Sequence, residues 1–218
     1  MPRPLKIAHR GFGAKDNTLL AFRYAVNAKF DVLELDLHQT KDERLIVCHD
    51  LFIGPYNVED TSYDILKMYE PDLITLDVFF AHFPSRHYRI YLDLKGKDEI
   101  VATLYKYVLS HNVCIENLMV ASFNKYHLEA LNYSQLCWKI GFITCNTLRT
   151  NDYESILANA DFIVVHYNTL STDLVDIVKR LDKKIFTYTC DSEYTLRYIL
   201  KYKVDGIVSD ILLDRKRI

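Results

Sequence analysis

A chain of 218 residues with 50% hydrophobic content can bury one sizeable core, so one domain over residues 1–218 is expected. Net charge is −2 and the basic residues are spread along the whole chain, which leaves no electrostatic footprint for nucleic-acid binding. The five cysteines, Cys48, Cys114, Cys137, Cys145 and Cys190, are odd in number and widely spaced, which excludes a C-x-x-C zinc or redox motif and reads as buried, reduced thiols.

The chain opens on a short polar stretch, Met1 to Lys6, and the apolar run that follows is broken by His9 and Arg10. Neither a signal peptide nor a membrane span is expected, and a reducing cytoplasmic setting fits. Short runs rich in Ile, Val and Leu then alternate with longer amphipathic stretches, the pattern of a parallel sheet covered by crossover helices. Strands are predicted at Leu5 to His9, Val32 to Leu37, Leu45 to Cys48, Arg89 to Leu94, Leu118 to Ala121, Trp138 to Phe142, Phe162 to Val165, Lys184 to Thr189 and Gly206 to Ser209. That is one run more than a closed eight-stranded ring needs, so one of them lies outside the ring or is not a strand.

Between the strands, a helix is predicted over Asn17 to Ala28, with Asp16 or Asn17 as cap and Leu19, Phe22 and Val26 at helical spacing. A second runs from Leu170 to Leu181, with Ser171 and Thr172 as caps and Leu174, Ile177, Val178 and Leu181 on one face. The link from Asp36 to Leu45 breaks the rhythm, being short of the dozen or so residues that a crossover takes, although an extended return segment could span it. Leu51 to Tyr63, with Gly54, Pro55 and Asn57, reads as a long loop over one end of the barrel.

Four polar clusters sit at the C-terminal ends of consecutive predicted strands: His9 with Arg10, Glu34 with Asp36, His49 with Asp50, and Asp93 with Lys95. Barrel enzymes place their active sites at that face. Glu34 and Asp36 leave the same side of their strand, and two such carboxylates repel unless a cation lies between them. Asp93 adds a third, giving an oxygen-rich site of the kind that Mg2+ or Ca2+ accepts. Two histidines titrating near neutral pH suit acid–base chemistry, and Arg10 and Lys95 supply positive charge for an anion. Taken singly, each residue has a plainer reading as a rim ion pair or a structural histidine. Together they describe stabilisation of a phosphoryl transition state.

The segments AHRGFGAKDNTLLAF, VLELDLHQTKDERLIVCHD, YLDLKGK, ASFN and VDGIVSD resemble the signature blocks of glycerophosphodiester phosphodiesterases, from Ile7 to Asp210. The resemblance implies an irregular (β/α)8 TIM barrel of the α/β class. It also implies a reaction that cleaves a small-molecule glycerophosphodiester to glycerol 3-phosphate and an alcohol. It makes His9 and His49 the acid–base pair, Glu34, Asp36 and Asp93 the ligands of one divalent cation, and Arg10 and Lys95 the phosphate contacts. Asp93 and Asp16 stand where the family usually has Glu, Tyr188 stands where a Trp is common, and the stretch between His49 and Asp93 is short for the family. Two rival readings stay open: a lipid phosphodiesterase of the sphingomyelinase D type, and a catalytically reduced barrel that binds a phosphorylated ligand.

Overall fold

The computed structural model describes residues 3–134 and 136–214, so Met1 and Pro2 of the polar N-terminal stretch lie outside the described residues. β1 (Leu5–Ala8) leads through α1 (Leu19–Asn27) to β2 (Val32–Gln39), which turns back as β3 (Leu45–Val47). A small hairpin of β4 (Phe52–Ile53) and β5 (Tyr56–Asn57) follows, then α2 (Tyr63–Tyr69), β6 (Ile74–Thr75) and α3 (Leu76–His82). From β7 (Ile90–Leu94) onward strand and helix alternate: α4 (Glu99–Ser110), β8 (Leu118–Ser122), α5 (Lys125–Tyr133), β9 (Lys139–Thr144), α6 (Thr150–Leu157), β10 (Phe162–His166), α7 (Thr172–Arg180), β11 (Lys184–Cys190), α8 (Glu193–Ile199) and β12 (Gly206–Ser209).

β1, β2 and β7 to β12 pair in parallel around a closed eight-stranded ring, which β1 seals by pairing with both β12 and β2. The expected barrel is thus present, and the surplus run is Leu45 to Cys48. As β3 it lies outside the ring, antiparallel to β2 with Leu37 opposite Val47, and antiparallel to β6. It is the one run of the nine that stands outside the ring, and the cause is loop length. β2 runs on to Gln39 and only a tight turn remains, closed by the Thr40 N–H donating to the Arg44 carbonyl at 2.9 Å. Such a turn permits a hairpin but not a parallel crossover.

Side chains alternate between two surfaces along each strand. Leu33, Leu35 and Leu37 of β2 and Ile90, Leu92 and Leu94 of β7 face the helices, where they pack with Phe22 and Leu104 in the main core. Their in-between neighbours face the lumen, which Ile7, Val32, Tyr91, Phe162, Val164 and Phe186 fill as a second apolar cluster. Gly141 on β9 is required by that filling: a Cβ there would lie 2.2 Å from the Phe162 ring.

Thr18, rather than Asp16 or Asn17, caps α1, its Oγ accepting from the Ala21 N–H at 3.3 Å. Ser171 caps α7, which buries Leu174, Val175 and Val178. The loop expected over Leu51 to Tyr63 holds the β4–β5 hairpin and a 3-10 turn at Val58–Asp60. All five cysteines are unpaired, but the expectation of burial holds only for Cys190; Cys137 and Cys145 are exposed because they sit in turns flanking β9. Among the described residues no helix is long and apolar enough to cross a membrane.

Candidate active site

The lumen changes character toward the C-terminal ends of the strands. On β2 the inward positions run Val32, Glu34, Asp36, and on β7 they run Tyr91, Asp93, so the apolar layer gives way to carboxylates. Strand register sets Asp36 directly opposite Asp93. Ligand oxygens of Glu34, Asp36 and Asp93 all lie within 4.8 Å of one another, and all three residues are buried. Asp93 reaches this cluster although an aspartate is one methylene shorter than a glutamate.

Three carboxyl groups in so small a buried space cannot all ionise freely. Burial first, and repulsion from Asp36 second, push Glu34 up to about 8. Asp93 is pushed up to about 7 by burial, with Asp36 adding to the shift against the pull of Lys95. Burial also opposes ionisation of Asp36, but Lys95 and Arg10 overcome it and hold that carboxyl below the usual range. Asp93 Oδ1 is buried with no hydrogen-bond partner. An oxygen-only cluster with an unpartnered carboxylate oxygen is the donor set that a hard divalent cation takes, so these residues fit one.

Arg10 and Lys95 both reach the carboxylates. Lys95 Nζ lies 2.6 Å from Asp93 Oδ2 and 3.1 Å from Asp36 Oδ1, and Arg10 Nε lies 2.9 Å from Asp36 Oδ2. Arg10 adopts a left-handed backbone conformation, φ 53°, and its N–H donates to Glu34 Oε2 at 2.8 Å. That conformation is uncommon for a residue with a side chain; here it turns both the amide and the guanidinium of one residue toward the carboxylates.

His9 follows β1 and donates from Nδ1 to Asp210 Oδ1 at 2.6 Å. Burial opposes its protonation, but the bond to Asp210 and the charge on Glu34 outweigh it, and its pKa is raised. His49 donates from Nδ1 to Asp50 Oδ1 at 2.7 Å. A carboxylate can only accept, so each ring carries a proton on Nδ1, and Nε2 is the atom left to take or give a proton. His49 does not follow a barrel strand; antiparallel β3 carries it back to the rim that β2 and β7 reach directly. His9, His49, Glu34, Asp93 and Lys95 line one cavity of about 110 Å³, walled by Phe123 and Tyr188, whose rings meet edge to face at 6.2 Å.

Three supporting residues come from the structure. Asp210 ends the VDGIVSD segment, and its partnership with His9 depends on ring closure. Asn17, considered only as a cap, donates from its side-chain amide to Asp36 Oδ2 at 3.0 Å. His38, two beyond Asp36 on the same face of β2, donates from Nε2 to the His49 carbonyl at 3.2 Å; strand parity was the signal that pointed to it. Asp16 stays at the surface, 3.8 Å from the Arg10 guanidinium.

Residues 9–212 match the sequence model of the Glycerophosphoryl diester phosphodiesterase family. A glycerophosphodiester phosphodiesterase from Caldanaerobacter subterraneus subsp. tengcongensis is 26% identical over 95% of this chain and 94% of that protein. A lysophospholipase D from Rattus norvegicus is 42% identical over 34% of this chain and 25% of that protein. Among solved structures, an Oleispira antarctica phosphodiesterase in complex with the product sn-glycerol-3-phosphate aligns with a TM-score of 0.83 at 19% identity, over 96% of this chain and 94% of that one. A glycerophosphodiester phosphodiesterase from Parabacteroides distasonis gives 0.83 at 19% identity, over 96% and 93% of the respective chains. At such identities the structural likeness is one of fold.

Proposed function

The chain belongs to the glycerophosphoryl diester phosphodiesterase family, and from that membership we propose that it hydrolyses glycerophosphodiesters to glycerol 3-phosphate and an alcohol. Glu34, Asp36 and Asp93 hold a single Mg2+ or Ca2+ in this reading, and His9 and His49 form the acid–base pair. A cation held there would supply Lewis-acid polarisation and positive charge to the reacting phosphoryl group. One imidazole takes the proton of the attacking hydroxyl as its oxygen bonds to phosphorus. The other gives a proton to the alcohol oxygen as its bond to phosphorus breaks. Arg10 and Lys95 neutralise the remaining phosphate charge in this reading.

The observation that carries this reading is the convergence of three carboxylates within 4.8 Å at the same mouth as both histidines. The test is an activity panel of glycerophosphodiesters with Mg2+, Ca2+ or EDTA, run beside Glu34→Ala. Cleavage of glycerophosphocholine is expected with a divalent ion and is expected to disappear in EDTA and in the variant. Undiminished cleavage under both conditions, or none with either ion, would overturn the proposal. The unpaired cysteines suit the reducing cytoplasm in which we place the protein.

A second reading, cleavage of lysophospholipids, draws on the exposed Phe52, Met68 and Tyr69 of the β4-to-α2 segment and on the name of the Rattus norvegicus relative. Turnover of lysophosphatidylcholine micelles measured against water-soluble glycerophosphocholine separates the two.

A further inference from the structure

We propose that His38 is a positioning residue that holds His49 at the catalytic mouth through a hydrogen bond to its main chain; the proposal rests on the acid–base role given to His49 above. The two imidazoles at the mouth are held in different ways. His9 directly follows β1, its backbone N–H donates to the Ser209 carbonyl at 3.2 Å, and its ring is fixed by Asp210, which follows the neighbouring β12. His49 has neither support. The β2–β3 ladder ends at Val47, two residues before it. Its ring partner, Asp50, is the next residue in the chain and has a side chain 79% exposed. A partner that moves with the ring cannot fix it to the barrel.

Among the described residues, one hydrogen bond ties His49 to a barrel strand: Nε2 of His38 donates to its carbonyl at 3.2 Å. His38 is 2% exposed on β2, and strand parity puts it on the face that carries Glu34 and Asp36. One face of one strand therefore presents two of the carboxylates and the anchor of His49, with their spacing set by the backbone. A carbonyl only accepts, so Nε2 carries a proton. Nδ1 is buried with no hydrogen-bond partner, so the bond to His49 is the one polar contact that orients the ring.

The ring is closed in on its other side by the chain after β7. Gly96 has φ +77°, and a Cβ there would lie 3.4 Å from His38 Nδ1 and 2.1 Å from Glu59 Oε1. Glu59 accepts from the Lys97 N–H at 2.8 Å, which keeps that segment against the ring. Burying a ring nitrogen with no partner works against folding, and a leucine would fill the position without that cost. The donor on the opposite side of the ring is what the histidine supplies and a leucine does not.

Variants separate the donor from the bulk of the ring. His38→Leu fills the space and removes the donor. His38→Gln restores one, because its amide nitrogen stands as many bonds from Cβ as Nε2 does. In turnover of glycerophosphocholine, His38→Leu is expected to lower kcat about tenfold or more with KM within about twofold, and His38→Gln to recover kcat to within about threefold of wild type. In a His49→Ala background, His38→Leu is expected to cost less than about twofold more, since the imidazole it positions is gone. A kcat within about twofold of wild type in His38→Leu, the same loss in both backgrounds, or no recovery with glutamine would overturn the proposal. His38→Asn, whose amide is too short to reach the carbonyl, carries the same test should His38→Leu fail to fold.

A second readout needs no turnover. The Asp50 amide shares a peptide plane with the His49 carbonyl, so 15N relaxation at Asp50 in the full chain reports the anchor directly. Its order parameter is expected at about 0.85 in wild type and His38→Gln and below about 0.6 in His38→Leu, with the His9 amide unchanged. An Asp50 amide as rigid in His38→Leu as in wild type counts against the anchor. If the wild type cleaves no glycerophosphodiester, it is the diesterase reading that fails, and the relaxation measurement still decides whether His38 holds His49.

Discussion

The carboxylate of Asp210 accepts a 2.6 Å hydrogen bond from Nδ1 of His9, across 201 positions of sequence. β12 and β1 are neighbours in the ring, with Ala8 paired to Ser209, so the residues that follow each strand meet at the rim. The anionic acceptor fixes the tautomer and the tilt of the imidazole, as in other carboxylate–histidine pairs. Asp210→Asn is expected to lower kcat roughly tenfold or more with little change in KM. His9→Ala and His49→Ala are each expected to lower it about 100-fold or more. Steady-state turnover of glycerophosphocholine measures all three, and alanine variants within about tenfold of wild type would remove the imidazoles from the mechanism.

Stability should respond to pH through the carboxylate cluster. Glu34 and Asp93 rise from ordinary values of 4.5 and 3.8 to about 8 and about 7, burial being the first cause in each. A carboxyl whose pKa rises on folding holds its proton more tightly in the folded chain. The stability it contributes is complete below the ordinary values and is lost as pH climbs through the raised ones. In chelator the melting temperature is therefore expected to lose this contribution progressively from about pH 4 to about pH 8. Added Mg2+ or Ca2+ should raise it most at the alkaline end, where fewer protons compete for the oxygens. Glu34→Gln should flatten both responses. A melting temperature that climbs with pH in chelator would contradict the cluster as described.

Packing of the lumen yields a third expectation. With a Cβ at Gly141 lying 2.2 Å from the Phe162 ring, Gly141→Ala should cost about 1–3 kcal/mol from overpacking. Phe162→Ala should cost about 3–5 kcal/mol from the cavity it leaves. The double variant should cost less than the sum, because the small side chain then occupies vacated space. Urea denaturation measures each, and strict additivity would show that the two positions do not share the lumen.

Much of the site was legible from strand parity. In VLELDL the period of two sends Leu33, Leu35 and Leu37 to one side and Glu34 and Asp36 to the other, and YLDLK divides Tyr91 and Asp93 from Leu92 in the same way. The same rule puts His38 on the carboxylate side of β2. What parity could not reveal was membership of the ring. Leu45 to Val47 is as apolar as the barrel strands, and it is excluded because the chain has too few residues to cross over before it. Exposure of Cys137 and Cys145 was equally hidden, since it depends on where the turns around β9 emerge.

Alternation of strand and helix, and the facing of each carboxylate, can be read along the chain, because both follow from forces between residues a few positions apart. That Asp210 meets His9, that Asn17 meets Asp36, and that β3 returns His49 to the mouth emerge only in three dimensions. Those partnerships arise from closure of the ring and from the reversal after β2, which bring distant segments together through packing of the whole barrel.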